Sequence, residues 1–317
     1  MIPLKRHFLN TTAGYHEREI DSLCWELTVP IMLEDPQSLC RSILEKSATF
    51  GNLLYDFLAG VIPMDTLHSF IEIGGGYGYI ARDFLRRNRD LRATMIDISP
   101  FLLKQQRQTM RDLDVNFIQA DLSELKDTLL SGIDLAVLNE VMGDFPTACD
   151  VPRNALCEDA DLEDELLIEV RSICHRYGIV TSAPDRFALN LGAIKALQKL
   201  CAARIPYIYA SEHSCEAGVP EKLKGMLELQ PAGEPERIRL RGHDEYTIRF
   251  SDLEKVASSF GYSIKRGQYI DFIEPVIEGE VSFVLALGPS RIDRYEIIMQ
   301  FIEDLAKYEY LILSLSL

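Results

Sequence analysis

Four short apolar runs, each closing on an acid or an amide, constrain this chain more than any other feature. Leu67–Ile73 carries Glu72 and opens into Gly74-Gly-Gly-Tyr-Gly78, and Ala93–Asp97 ends on its own acid. Val115–Ala120 is followed by Asp121, and Ile133–Leu138 by Asn139-Glu140. Helical stretches at 79–88 and Pro100–Arg111 separate the first three, with proline in a first turn, where its missing N–H costs nothing. Strand, helix, strand, helix in this order predicts an α/β, doubly wound, Rossmann-like domain around a mostly parallel sheet. In such sheets ligands bind beyond the carboxyl ends of the strands, where these acids stand.

The flanking regions read less sharply. Residues 1–64 predict a helical N-terminal lid segment, with apolar residues at helical spacing over Leu39–Ala48 and Phe50–Val61. The main domain is expected over 65–290, with a C-terminal helix in 291–317. Residues 147–165 and 214–240 look like loops, helices are expected at 162–176 and 187–203, and Ile205–Ala210 is a fifth strand. Ser251-Asp-Leu-Glu254 has the pattern of a capping box. Tyr262–Ile273 and Val281–Leu287 read as a closing antiparallel hairpin, which brings the expected sheet to seven strands with an antiparallel final one. The apolar Tyr310–Leu317 would pack on the domain or on a partner, so a homodimer is among the expectations.

Charge narrows the partners. The 49 acidic against 33 basic residues give a formal charge of −16, which repels phosphate backbones and anionic headgroups. No nucleic acid and no membrane are expected as partners. Arg82, Arg86, Arg87 and Arg89 are read as the solvated face of one helix. The seven cysteines form no CxxC pair, which fits reduced thiols in a cytoplasmic setting and gives no zinc-ligand spacing, so no metal is expected. The opening residues lack the apolar core of a leader, and no apolar run reaches the ~18–20 residues of a membrane span.

The strand ends carry the chemistry. A glycine turn between strand and helix lets a ligand approach the backbone, and Gly74, Gly76 and Gly78 supply one. Gly76, Gly78 and Ala81 also satisfy the dinucleotide form G-x-G-x-x-A. Glu72 argues for a different cofactor, because a carboxylate there suits the sulfonium and ammonium of S-adenosylmethionine and opposes a pyrophosphate. As a plain strand-end acid it would instead cap the following helix. Asp97 is placed to accept from ribose hydroxyls, with Ile98 against the adenine face. Asp121, followed by Leu122, can accept from an adenine amino group. Asn139 and Glu140 would face the methyl donor, Asn139 through its amide and Glu140 by attracting a cation or taking a proton. His213 and His243 lie in late loops and are read as solvated. Tyr77 and Tyr79 either cover the cofactor or pack under the sheet, and Trp25 either closes over a substrate or joins the core.

The runs Ser99-Pro-Phe-Leu-Leu-Lys-Gln-Gln106 and Asn139-Glu-Val-Met-Gly-Asp-Phe-Pro146 resemble the S-P-x-L-x-x-x-Q and N-E-x-x-D-A-x-P segments of MidA-type methyltransferases. Thr247–Leu253 with Gly261 resembles a late segment of the same family. The likeness covers about residues 66–146 and patches of 243–273. The family's second acid falls on Gly143 here, with Asp144 one place later. The resemblance implies methyl transfer from S-adenosylmethionine to a protein arginine nitrogen, with Glu140 holding the guanidinium and Asp144 as a second candidate. Three other readings stand beside it: an O- or N-methyltransferase for a small molecule, a catalytically silent assembly protein with the same fold, and a nicotinamide oxidoreductase.

Overall fold

The computed structural model describes residues 7–23, 28–183, 185–287 and 292–315; Cys24 and Trp25 lie outside them. Strands are β1 (Phe8–Asn10), β2 (Ser69–Ile73), β3 (Arg92–Asp97), β4 (Val115–Gln119), β5 (Leu135–Asn139), β6 (Thr147–Pro152), β7 (Arg186–Leu189), β8 (Tyr207–His213), β9 (Arg237–Arg239), β10 (Asp244–Tyr246), β11 (Tyr262–Gln268) and β12 (Tyr308–Leu315). Seven of them make one sheet in the order β11-β12-β8-β5-β2-β3-β4. β4, β3, β2, β5 and β8 run parallel, while β12 is antiparallel to both β8 and β11.

The two-residue period of these strands divides the core. Phe70, Leu135, Val137, Tyr209, Tyr310 and Ile312 enter the apolar cluster on one face. Their neighbours Ile71, Ala136, Leu138, Ile208, Leu311 and Leu313 enter the cluster on the other. The strand order reverses at β2, which adjoins both β3 and β5, and this reversal opens the crevice where ligands bind in such sheets.

Helices cover both faces: α1 (Ala13–Arg18), α2 (Val29–Met32), α3 (Leu39–Ser42), α4 (Phe50–Ala59), α5 (Tyr79–Arg87), α6 (Pro100–Thr109), α7 (Glu165–Tyr177), α8 (Leu191–Ala202), α9 (Phe250–Ser259), α10 (Gly279–Leu287) and α11 (Asp293–Lys307). Among the described residues no helix is long and apolar enough to cross a membrane.

Several expectations need correcting. Val281–Leu287 lies in α10, and the antiparallel partner of β11 is the C-terminal run of β12. A short run that is apolar at all but one position, Ser282, carries no periodicity that separates strand from helix, so the sequence pattern points to the wrong run for the hairpin. The region 291–317 therefore gives the sheet a strand as well as α11. Residues 147–152 form β6, paired with β1 and β7 in a small antiparallel sheet, where a loop was expected. The segment 8–10 is likewise a strand, and the first helical stretch shortens to α3. Ser251 does not cap α9, which starts one residue earlier. Glu216 Oε2 accepts from the Ser251 N–H at 2.8 Å, so a distant carboxylate does the capping.

Arg82 is not on a solvated face. Its guanidinium grips Glu34 through both carboxylate oxygens, at 2.5 and 2.8 Å, and also pairs with Asp83 at 2.8 Å. Arg87 bonds Asp56 and lies 4.6 Å over the Tyr55 ring. The six described cysteines are free thiols, and Cys157 alone among them is exposed.

Candidate active site

β2, β3 and β5 end at one cleft of about 230 Å³. Glu72, Gly74, Gly76, Asp97, Ile98, Asp121, Leu122, Asn139, Glu140 and Asp144 all line it. Gly78 stands just behind, capping α5 in the left-handed conformation (φ 79°). Gly74 is left-handed too (φ 62°), and a Cβ there would overlap the Val141 side chain. The turn thus needs glycine for both conformation and space.

The acids of the cleft differ in what they hold. Glu72 is buried, and its Oε2 accepts from the Ala81 N–H at 3.1 Å in the first turn of α5. The helix-capping reading of Glu72 is therefore part of the answer, alongside its place in the cleft wall. Burial pushes its carboxyl up to about 8, against the hydrogen bond from Ala81. Asp97 accepts from the Ser99 N–H (2.9 Å) and from Gln106 Nε2 (2.8 Å), and burial raises it to about 6. Asp121 Oδ1 accepts from the Ser123 N–H at 2.7 Å, starting a 3-10 turn.

Glu140 is the most constrained of them. Its backbone is left-handed (φ 52°), a conformation that costs a non-glycine residue ~1–3 kcal/mol. Oε1 is 3.3 Å from both Tyr269 Oη and Asn139 Nδ2, while Oε2 is buried with no protein hydrogen-bond partner. Burial first, and then the nearby Glu212 and Asp304 carboxylates, hold its carboxyl well above the usual range. Tyr269 Oη also lies 3.1 Å from Asn139 Oδ1 and 3.0 Å from Ser211 Oγ, so one buried hydroxyl organises the end of β5.

Some contributors escape a reading of the sequence. Gln106 bridges Asp97 and the Gly76 carbonyl (3.1 Å), tying the glycine turn to the next strand. It is the final residue of the Ser99–Gln106 run, which is the signal that could have found it. Glu212, at the end of β8, lines the cleft, is raised by burial, and accepts from the Gly143 N–H at 3.1 Å. Tyr308 of β12 lines it as well.

The N-terminal segment lies over the cleft. Thr12, His16, Leu23, Pro30 and Ile31 line it, and the Leu23 N–H donates to Tyr77 Oη at 3.0 Å. His16 Nε2 meets Asp144 Oδ1 at 2.8 Å, so Asp144 faces imidazoles rather than standing open to a guanidinium. His243 is not solvated: its side chain is only 3% exposed, stacks on Tyr15 at 4.2 Å, and is shifted down by burial. His213 stacks on Tyr308 at 3.9 Å between ring centroids.

Residues 71–157 match the family model described as a methyltransferase domain, a span containing Glu72, Asp97, Asp121, Asn139 and Glu140. No curated protein matches the chain. Among solved structures, an uncharacterized protein from Burkholderia thailandensis is similar at 15% identity, covering 84% of this chain and 78% of that one, with a TM-score of 0.53. A second member of the same superfamily from Burkholderia thailandensis, bound to S-adenosyl-homocysteine, matches at 14% identity over 84% of this chain and 76% of that one, with a TM-score of 0.51. These likenesses establish a shared Rossmann-like methyltransferase fold.

Proposed function

We propose, from the methyltransferase domain matched over residues 71–157, that this chain transfers a methyl group from S-adenosylmethionine to the guanidinium of a protein arginine. Glu140 carries the acceptor reading. A carboxylate oxygen buried in a cleft wall without a donor calls for a cationic N–H group, and a strained backbone holds it there. Asp97, Asp144 and Glu245 line the same cleft and favour positive charge there.

The cleft also fits the cofactor. The glycine turn leaves room that a Cβ would fill. Asp97 keeps lone pairs for ribose hydroxyls beyond its two accepted bonds, and Asp121 keeps an oxygen for an adenine amino group. Ile98 and Leu122 would flank the adenine, with Glu72 and Asn139 toward the amino-acid end. The bound cofactor supplies a methyl already activated on a sulfonium.

The chain's own work is then placement and proton handling. Tyr269 and Asn139 fix Glu140 Oε1, which leaves Oε2 to accept from the guanidinium and aim its nitrogen. The raised proton affinity of Glu140 suits it to take up the proton that the methylated nitrogen sheds. Leu23, Tyr77 and Tyr308 keep water away from the reacting atoms.

The test uses S-adenosylmethionine labelled in its methyl group, with cell extract as acceptor. Label is expected in the protein fraction as methylarginine, and Glu140→Gln should slow its appearance by about a hundredfold or more. S-adenosylhomocysteine binding should change by less than about tenfold, ~1.4 kcal/mol. Full methylation by the variant would remove Glu140 from this role. A second reading is supported by the apolar cover that Leu23, Pro30, Ile31, Ile238 and Leu240 give the cleft, which suits a small acceptor. Label confined to low-mass material would favour it.

A further inference from the structure

Three segments far apart in sequence bring His16, Asp144 and His243 together at the rim of the cleft. We propose that these three side chains bind a divalent transition-metal ion of the zinc class. His16 comes from α1, Asp144 from the 3-10 turn after β5, and His243 from the loop leading into β10. Their ligating atoms lie within 4.8 Å of one another. Both imidazoles direct Nε2 at one oxygen, Asp144 Oδ1, at 2.8 Å from His16 and 3.5 Å from His243. Ligands ~2.0–2.2 Å from a tetrahedral ion stand roughly 3.3–3.6 Å apart, so small side-chain adjustments admit one.

The surroundings fix the ligands as a metal site requires. Tyr15 stacks on His243 at 4.2 Å and meets His16 edge-on at 5.2 Å. That stack depends on Gly242, which is left-handed (φ 97°) and where a Cβ would come within 2.7 Å of the Tyr15 ring. Thr12 Oγ1 donates to the Asp144 carbonyl at 2.9 Å, setting α1 against the turn. Glu245 Oε1 lies 3.1 Å from His243 Nε2 and supplies a second negative charge. Two imidazoles and one carboxylate favour zinc, cobalt, nickel or iron over magnesium or calcium, which prefer oxygen. Three protein ligands at a cavity wall leave a fourth position open, as in catalytic zinc sites. His16 and Asp144 line the same cleft as the strand-end acids, so the ion would lie in its wall and pin α1 over it.

The absence of a cysteine spacing does not speak to this site, because its ligands are histidine and aspartate separated by 128 and 99 residues.

The test uses tag-free, full-length protein stripped with a chelator and titrated with zinc chloride by calorimetry and with cobalt chloride by visible absorption. One equivalent is expected, with cobalt bands of imidazole ligation. His16→Gln and His243→Gln should each weaken binding by more than about tenfold, the least that loss of a supporting contact costs. Thermal unfolding of each variant reports whether it folds. X-ray absorption of the zinc-loaded wild type, which should show two imidazoles, stands independently of the variants. Failure of the wild type to bind either ion more tightly than the double variant, or a zinc environment lacking imidazole, would overturn the proposal. S-adenosylhomocysteine binding, measured without metal, tests the cofactor reading separately.

Discussion

Glu72 is a buried acid whose proton the folded state holds more tightly than the unfolded chain does. Its folded value near 8 stands above the ordinary 4.5. The stability this group allows is complete below about 4.5 and is lost as pH rises through about 8, at ~1.4 kcal/mol for each pH unit between those two values. Glu72→Gln keeps an oxygen for the Ala81 N–H and removes the titration. The variant is expected to gain stability over wild type, by a few kcal/mol, as pH rises from about 5 to about 9. Denaturant unfolding across that range checks it; a difference that does not depend on pH would contradict it. Gly74→Ala meets both Val141 and a left-handed backbone, so a stability loss of ~1–3 kcal/mol and a loss of cofactor binding are expected together. The strand-end acids are legible in the sequence because a parallel sheet gathers the carboxyl ends of its strands, whatever the loops do. Glu212 is harder to see, because the fifth strand expected from the sequence stops at Ala210, whereas β8 runs on to His213. His16 and His243 are not legible, since only the folded chain brings them together.

At the scale of elements, the five parallel strands and the helices α5 and α6 follow from the sequence pattern, and the edge beyond β8 does not. Val281–Leu287 and Tyr308–Leu315 are both short apolar runs, and the choice between them depends on which one the sheet can accept beside β8. β12 sits between β8 and β11 and contributes Tyr310, Leu311, Ile312 and Leu313 to the two cores. A chain ending at Lys307 should therefore fail to fold, giving insoluble protein or a collapsed far-UV circular dichroism spectrum. A soluble, cooperatively unfolding truncation would show that β12 is dispensable. The Arg82 pairs act between elements, joining α5 to Glu34 after α2. Arg82→Ala leaves Asp83 buried without its cation and is expected to cost ~3–5 kcal/mol, read from denaturant midpoints.

Taken whole, the molecule places an acidic, strained cleft at the reversal of strand order and covers it with its own N-terminal segment. Calorimetric titration with S-adenosylmethionine, S-adenosylhomocysteine and NAD, in wild type and Asp97→Ala, decides whether this cleft holds S-adenosylmethionine. Binding of the first two is expected at micromolar level, ~8 kcal/mol, weakened by at least about a hundredfold in Asp97→Ala, with no heat from NAD. S-adenosylhomocysteine at about a hundred times its Kd should also raise the melting temperature of the wild type by about 4 °C. Binding of NAD alone, or undiminished binding by a folded Asp97→Ala, would contradict it.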